Sequence, residues 1–347
     1  MLSPLDDYPI HQIAEPIRQV GTSDRNFYDR YYFNAGRPEG DVFVIMGLGQ
    51  YPNLGTADAF VLVHADDQHR VVRAGRPLGT DRMDTSVGPF RVEVLEGLQR
   101  LRYVLEPTEH DLALDLTWEG TVPAFEEPRH RDRLGTGRVF LDACRLAQTG
   151  RWSGSITVDG DTIEVTPDRW TGTRDRSWGI RPSGESEPPG ITADLPFAGF
   201  RWLYAPIQLE HRSLYLIVQE RDDGSRVLEE AVEVHPDGVV RPLGRPDYEL
   251  EWDEDHRFVT AATLHLGSVE VGVEVLHPVH LGVGTGYGFD AEWRHGMYHG
   301  PEVVVQARRW DLTRDEDRAA MWGIVDSWAR YTVDGEVGHG LFEWMIL

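Results

Sequence analysis

The sequence predicts an all-β protein made of two consecutive antiparallel barrels or sandwiches, and three features carry that expectation. Apolar and polar residues alternate with a period of two through most of the chain. Asp-Gly steps interrupt alternating runs in VDGDTIEV, VEVHPDGVV and YTVDGEVG, which is hairpin chemistry. Helical text is confined to a turn or two near 7–19 and to LTRDEDRAAMWGI near 312–324, where Thr313 and Glu316 have the spacing of a capping box.

Taken in order, FYDRYYFNA (27–35), DVFVIMGLG (41–49), ADAFVLVHA (57–65) and HRVVRAG (69–75) are short β-branched or aromatic runs between turn residues. RLRYVLEP, LALDLTWEGTV, SGSITVDGDTIEVTP and RWTGTRDRSWGIR continue the series. PSGESEPPGITADLPFA, 182–198, is rich in proline, glycine and acids and reads as an interdomain connection. Strand text resumes with FRWLYAPIQL, SLYLIVQE, RVLEEAVEVH, YELEWD, FVTAATLHLG and SVEVGVEVLHPVHL. The expected division is an N-terminal β domain over 1–185 with a short helical arm, the connection at 182–198, and a C-terminal β domain over 199–347.

Composition narrows the chemistry. The formal net charge is −24, which argues against a nucleic-acid partner, since phosphate binding relies on basic surface. All 34 basic residues are arginine. The chain therefore has no Walker lysine, no Schiff-base lysine and no lysine nucleophile. The single cysteine, Cys144, rules out an intramolecular disulfide and a multi-cysteine zinc site. No apolar run approaches a membrane-spanning length, and MLSPLDDYPIHQIAEP carries acids where a signal peptide needs a basic end. A soluble, cytoplasmic protein without membrane insertion is expected.

The segment WTGTRDRSWGIRP, 170–182, concentrates the chemistry. In an extended chain Asp175 shares a face with Thr173 and Ser177, while Arg174, Arg176 and Trp178 share the other. A carboxyl near tryptophans would be desolvated and pushed toward general-acid duty; a buried ion pair tying two strands together is the alternative.

WTGTRDRSWGIR also resembles the x-D-x-x-W-G signature of the hydroxyneurosporene synthase (carotenoid 1,2-hydratase) and AttH-like superfamily. With GLGQYPNLGTADAF, WRHGMYHG and GHGLFE, the likeness spans most of the chain and is nearest to an actinobacterial branch. The resemblance implies two lipocalin-like β domains and hydration, cyclisation or ring closure of apolar polyene, isoprenoid or polyketide-like molecules. Asp175 matches the aspartate implicated in the hydratases, and Trp178-Gly179 the W-G after it. Where the hydratase pattern has histidines beside the aspartate, this chain has Arg174 and Arg176. Guanidinium groups do not relay protons near neutrality but bind carboxylates and carbonyl oxygens, so a substrate bearing an acid, enone or thioester-like carbonyl fits better than a bare carotenoid.

Other candidates are dispersed. His295 and His299 in WRHGMYHG share a side if extended; two histidines without a third ligand make a weak metal signal, so no metal is expected and His295 stands as the catalytic candidate. His339 and Glu343 in GHGLFEW share a face and would pair for acid–base work or for structure. Tyr51 lies in a shaped loop. Trp202, Tyr204 and Tyr287, with Met46 and Phe60, are expected to line barrel interiors. The combined expectation is a cofactor-independent hydratase, isomerase or cyclase for a hydrophobic isoprenoid-, steroid- or polyketide-like molecule. Asp175 and His295 would be catalytic; Arg174, Arg176, Trp178, Tyr51, Trp202, Tyr204, Tyr287, His299, His339 and Glu343 would bind substrate. The alternative is a non-catalytic lipocalin-like carrier of an apolar metabolite. Homo-oligomerisation is left open.

Overall fold

The computed structural model describes residues 2–187, 199–254, 258–288 and 290–346. The connection anticipated at 182–198 lies outside the described residues from 188 onward. Within them, two antiparallel sheets hold nearly all regular structure. In the first, the strands run in the order Val304–Asp311, Gln68–Pro77, Thr56–Ala65, Val42–Tyr51, Phe27–Gly36, Thr171–Ile180, Val139–Val158, Leu112–Gly120, Arg100–Leu105, Phe90–Glu96 and Ser86–Val87. The second follows Val240–Pro242, Arg226–Val234, Ser213–Glu220, Arg201–Gln208, Glu336–Ile346, Val325–Val333, Val269–His280, Val259–Leu266 and Pro246–Trp252. Both sheets curl as half-barrels, so the fold is two lipocalin-like units.

Three apolar clusters explain the strand patterns. One fills the first sheet's concave side with Phe33, Met46, Leu116, Trp118 and Trp152. Another fills the second with Leu216, Val271, Val325, Tyr331 and Phe342. The third lies between the sheets and joins Tyr32, Phe43, Ile45 and Phe60 to Trp202, Tyr204, Ile217 and Trp328. Val42–Tyr51 is therefore buried on both faces, with Val44 and Met46 turned to the first core and Phe43 and Ile45 to the junction. That is why it reads as a continuous apolar run and not as a clean alternation. Phe60, Trp202 and Tyr204 pack at this junction, whereas Met46 alone of the five expected interior residues sits inside a barrel core.

Inside the first core, the Tyr103 hydroxyl bridges two strands, donating to Gly47 O at 2.9 Å and Phe60 O at 3.0 Å. Tyr103→Phe is expected to cost about 1 kcal/mol, read as a lower urea midpoint with an unchanged slope.

The hairpin signals identify real turns. Asp159 and Gly160 have φ of 52° and 89°, and Asp334 and Gly335 have 51° and 83°, the two left-handed residues of a type I′ turn. The helical readings shrink. Near the N-terminus only Pro4–Asp7 forms a 3₁₀ turn. Asp315–Ala319 is a helix of five residues capped by Arg314 without a side-chain bond; Thr313 instead donates to Asp311 Oδ1 at 2.7 Å. The second half of the sequence also reaches beyond its own sheet. Val304–Asp311 pairs antiparallel with Gln68–Pro77 and becomes an edge strand of the first sheet.

Thr171–Ile180 is a central strand, paired with Phe27–Gly36 on one side and Val139–Val158 on the other. Gly172 and Gly179 do not interrupt it. They let its neighbours approach: a Cβ on Gly172 would lie 2.0 Å from Asn34 O, and one on Gly179, at φ 137°, 2.1 Å from Asp142 O. The strand's register places Asp175 between Tyr32 and Ala147, facing the junction.

Candidate functional site

A cavity of about 990 Å³ opens between the two sheets. Asp175 and Ser177 line it from the first sheet, Trp202, Ile217, Leu228 and Glu343 from the second, and Tyr287 and His295 from the long connection after His280. Asp175 lies deep yet stays half-buried, because its carboxyl faces the cavity. Among the described residues nothing donates a hydrogen bond to it. Burial therefore dominates and raises its pKa from 3.8 to about 6; the Arg145 and Arg181 charges pull it down, while Glu127 and Glu343 push it up. A carboxyl in that range both gives and takes a proton near neutrality.

Behind Asp175 lies a carboxyl cluster contributed by both sheets. Arg145 Nε donates to the buried carboxylate of Glu127, and its guanidinium covers the rings of Tyr204 at 4.4 Å and Trp202 at 5.3 Å. Burial works against the Arg145 charge, but Glu127, Tyr204 and Asp175 outweigh it and hold the group protonated. Asp326 and Glu343 sit directly opposite each other on neighbouring strands, a placement that two ionised carboxylates would make repulsive. Asp326 is fully buried. Burial first, then the Glu343 charge, pushes its pKa well up. Tyr32 donates its phenolic proton to Asp326 Oδ2 at 2.5 Å, and Asp326 Oδ1 meets no donor among the described residues. A proton held by Asp326 and hydrogen-bonded to Glu343 relieves the opposition of the two carboxyls. Glu343, also raised by burial, is then the charged member, accepting from Trp202 Nε1.

At the other end the connection is pinned to the first sheet. Asp58 Oδ2 accepts from Gly296 N at 2.6 Å, Thr56 Oγ1 donates to Gly296 O at 2.8 Å, and Arg73 donates to Gly284 O at 2.9 Å. The remaining Asp58 oxygen accepts from Tyr51 at 3.2 Å. These bonds carry Tyr287 and His295 to the cavity. His295 Nδ1 accepts from Arg30, leaving Nε2 to donate to Thr285 O at 3.0 Å. Burial and the nearby Arg30 and Arg181 charges hold its pKa well below 6.5. His295 is thus a neutral imidazole with both nitrogens engaged.

Of the residues singled out from the sequence, Asp175, His295, Trp202, Tyr287 and Glu343 meet at the cavity. Tyr204 and Tyr51 are buried just behind it, the first under Arg145 and the second against Asp58. The others lie elsewhere. Arg174 projects from the opposite face of its strand and donates to Gln148 Oε1 at 2.8 Å. Arg176 pairs with Asp29 and covers the Tyr31 ring at 4.1 Å, and Trp178 is partly exposed. His299 stacks on Trp293 at 3.9 Å and His339 on Trp328 at 6.2 Å. His295 and His299 therefore do not act as a pair, and WRHGMYHG is not a strand: no regular element covers it. His339 and Glu343 share a sheet face without touching.

Tyr32, Glu127, Arg145, Arg181 and Asp326 were not read from the sequence. Four of them sit in ordinary-looking stretches, whereas Arg181 lies within the segment 170–182 that drew attention to Asp175. Among the described residues no helix is long and apolar enough to cross a membrane.

Comparison with solved structures places the fold. The AttH-type protein of Nitrosomonas europaea superposes over 97% of this chain and 98% of its own, with 15% identity and a TM-score of 0.58. CghA aligns over 93% of this chain and 89% of its own, at 10% identity and a TM-score of 0.50. Kievitone hydratase from Nectria haematococca covers 94% of this chain and 93% of its own at 12% identity, with a TM-score of 0.48 that is too low to argue from. At these identities the likeness speaks for fold alone. No curated protein sequence matches the chain. The family model that does match spans residues 2–347, and the chain belongs to that family, a family of unknown function (DUF8625).

Proposed function

We propose that this protein is an acid–base enzyme of the hydratase, isomerase or cyclase type, acting without a cofactor on a hydrophobic polyketide- or isoprenoid-like molecule held between its two sheets. The observation that carries the reading is Asp175: a carboxyl facing a large cavity, with no hydrogen bond from any described residue and a pKa raised to about 6. A structural ion pair would be hydrogen-bonded to its cation. In the hydration direction Asp175 delivers its proton to one carbon of a polarised double bond. Glu343 takes a proton from the water that adds to the other carbon, so one water is consumed and the two carboxyls exchange protonation states. Asp326 keeps Glu343 available as a base by holding the proton of that pair. His295 positions Arg30 and closes the wall. Activity that depends on protonated Asp175 falls as pH rises through about 6. CghA, similar in fold, has been seen with the small molecule Sch210972, which supports a small-molecule occupant for the cavity here.

The test is native mass spectrometry of the protein from its own cells, wild type against Asp175→Asn. The expected result is a small molecule retained by the variant that is isomeric with the wild-type ligand or differs from it by one water. The same unchanged ligand on both proteins would instead identify a carrier.

A further inference from the structure

We infer that Arg181 is the anchor for an acidic oxygen of the ligand, a carboxylate or a delocalised phenolate or enolate, so that the molecule taken up is an anionic apolar one and not a hydrocarbon. The inference rests on the reading of the cavity as a small-molecule site and deepens it by naming the ligand's chemistry.

Arg181 is the first residue after the Asp175 strand. Its main chain is held at both ends: its N–H donates to Asn26 O at 3.2 Å, and its carbonyl accepts from Ser183 Oγ at 2.8 Å. Its side chain lines the cavity between two phenol rings, with the guanidinium carbon 4.7 Å from the Tyr28 centroid and 5.4 Å from that of Tyr287. Among the described residues the side chain has no hydrogen bond and no ion pair. A guanidinium held over aromatic rings and without a protein acceptor keeps its N–H fork available, and that fork grips a carboxylate or a pair of conjugated oxygens.

The surroundings do not supply that anion. Arg30 is buried beside the same Tyr287 ring, 4.7 Å from its centroid, with Nε and Nη2 unpartnered. Asp58, a carboxylate on this side, already accepts from Tyr51 and Gly296. His295 is neutral and adds no negative charge. Asp175 feels the Arg181 charge but makes no ion pair with it. Asp58 is already engaged, Glu185 and Glu187 lie against Arg25, and Asp290 lies against Arg73, so the Arg181 guanidinium is left for a ligand oxygen.

The experiment compares two fluorescent probes with nearly the same aromatic body. One, 8-anilinonaphthalene-1-sulfonate, carries an anionic group; the other, N-phenyl-1-naphthylamine, does not. Wild type is expected to bind both, and Arg181→Met to weaken the sulfonate about tenfold or more while changing the neutral probe less than about twofold. A near-UV circular dichroism spectrum matching wild type shows that the variant is folded; should Arg181→Met not fold, Arg181→Gln serves with the same expectation. Unchanged sulfonate binding, or equal loss of both probes, overturns the role of Arg181. Failure of wild type to bind either probe overturns the small-molecule cavity itself, a separable result.

Discussion

Asp175→Asn is expected to make the protein more stable above neutral pH while abolishing turnover. In the folded protein the Asp175 pKa is raised from 3.8 to about 6, so between those values the native state binds more protons than the unfolded chain. Stability contributed by this residue is then highest below about pH 4 and falls as pH rises toward 6. Above pH 6 the charged carboxylate weighs fully against the fold, by about 2–3 kcal/mol at 1.36 kcal/mol per pKa unit. Asparagine fills nearly the same volume and has no charge to bury. Urea unfolding should therefore show the variant ahead by about 2 kcal/mol at pH 8, with the gap closing toward pH 4. A residue kept at a cost to the fold is kept for its chemistry. If the variant were instead weakened at every pH, Asp175 would be a structural ion-pair member and the enzyme reading would lose its main support.

Glu127→Ala should have the larger effect, in the opposite direction. Glu127 accepts from the Arg145 guanidinium at the junction of the sheets, where Glu127 is buried and Arg145 half-buried. Removing the carboxylate strands a cation in a place with little water, a loss of about 3–5 kcal/mol. Glu127 also pushes the Asp175 pKa up, so its removal should move any Asp175-dependent activity limb to lower pH. The double variant Glu127→Ala/Arg145→Met separates charge from packing. Methionine keeps an apolar stem beside Trp202 and Tyr204 without the charge, and most of the lost stability should return. A double variant no more stable than Glu127→Ala would mean that Arg145 matters through its contact with the rings.

What the sequence by itself determined is local. Period-two alternation and Asp-Gly turns were enough for an all-β fold, because side-chain direction along a strand and backbone sign in a two-residue turn depend on neighbours in sequence. The same rule put Asp175 and Ser177 on one face of their strand and Arg174, Arg176 and Trp178 on the other. It could not say which face meets a cavity, so the arginines and Trp178 looked as suited to ligand binding as Asp175. Glu343 was legible as a face-sharing residue of GHGLFEW, but its true partner, Asp326, comes from the neighbouring strand.

Only the tertiary structure decided which residues form the site. Tyr32, Glu127, Asp326 and Glu343 lie far apart in sequence and converge because two sheets pack on each other, and pairing across strands and sheets leaves no periodic mark. His295 and His299 would share a side only if WRHGMYHG were extended. It is instead irregular, tied down by Asp58, Thr56 and Arg30 from strands more than 200 residues away in sequence. The raised pKa of Asp175 follows from the same convergence: desolvation is a property of everything packed around a group, and no short motif encodes it.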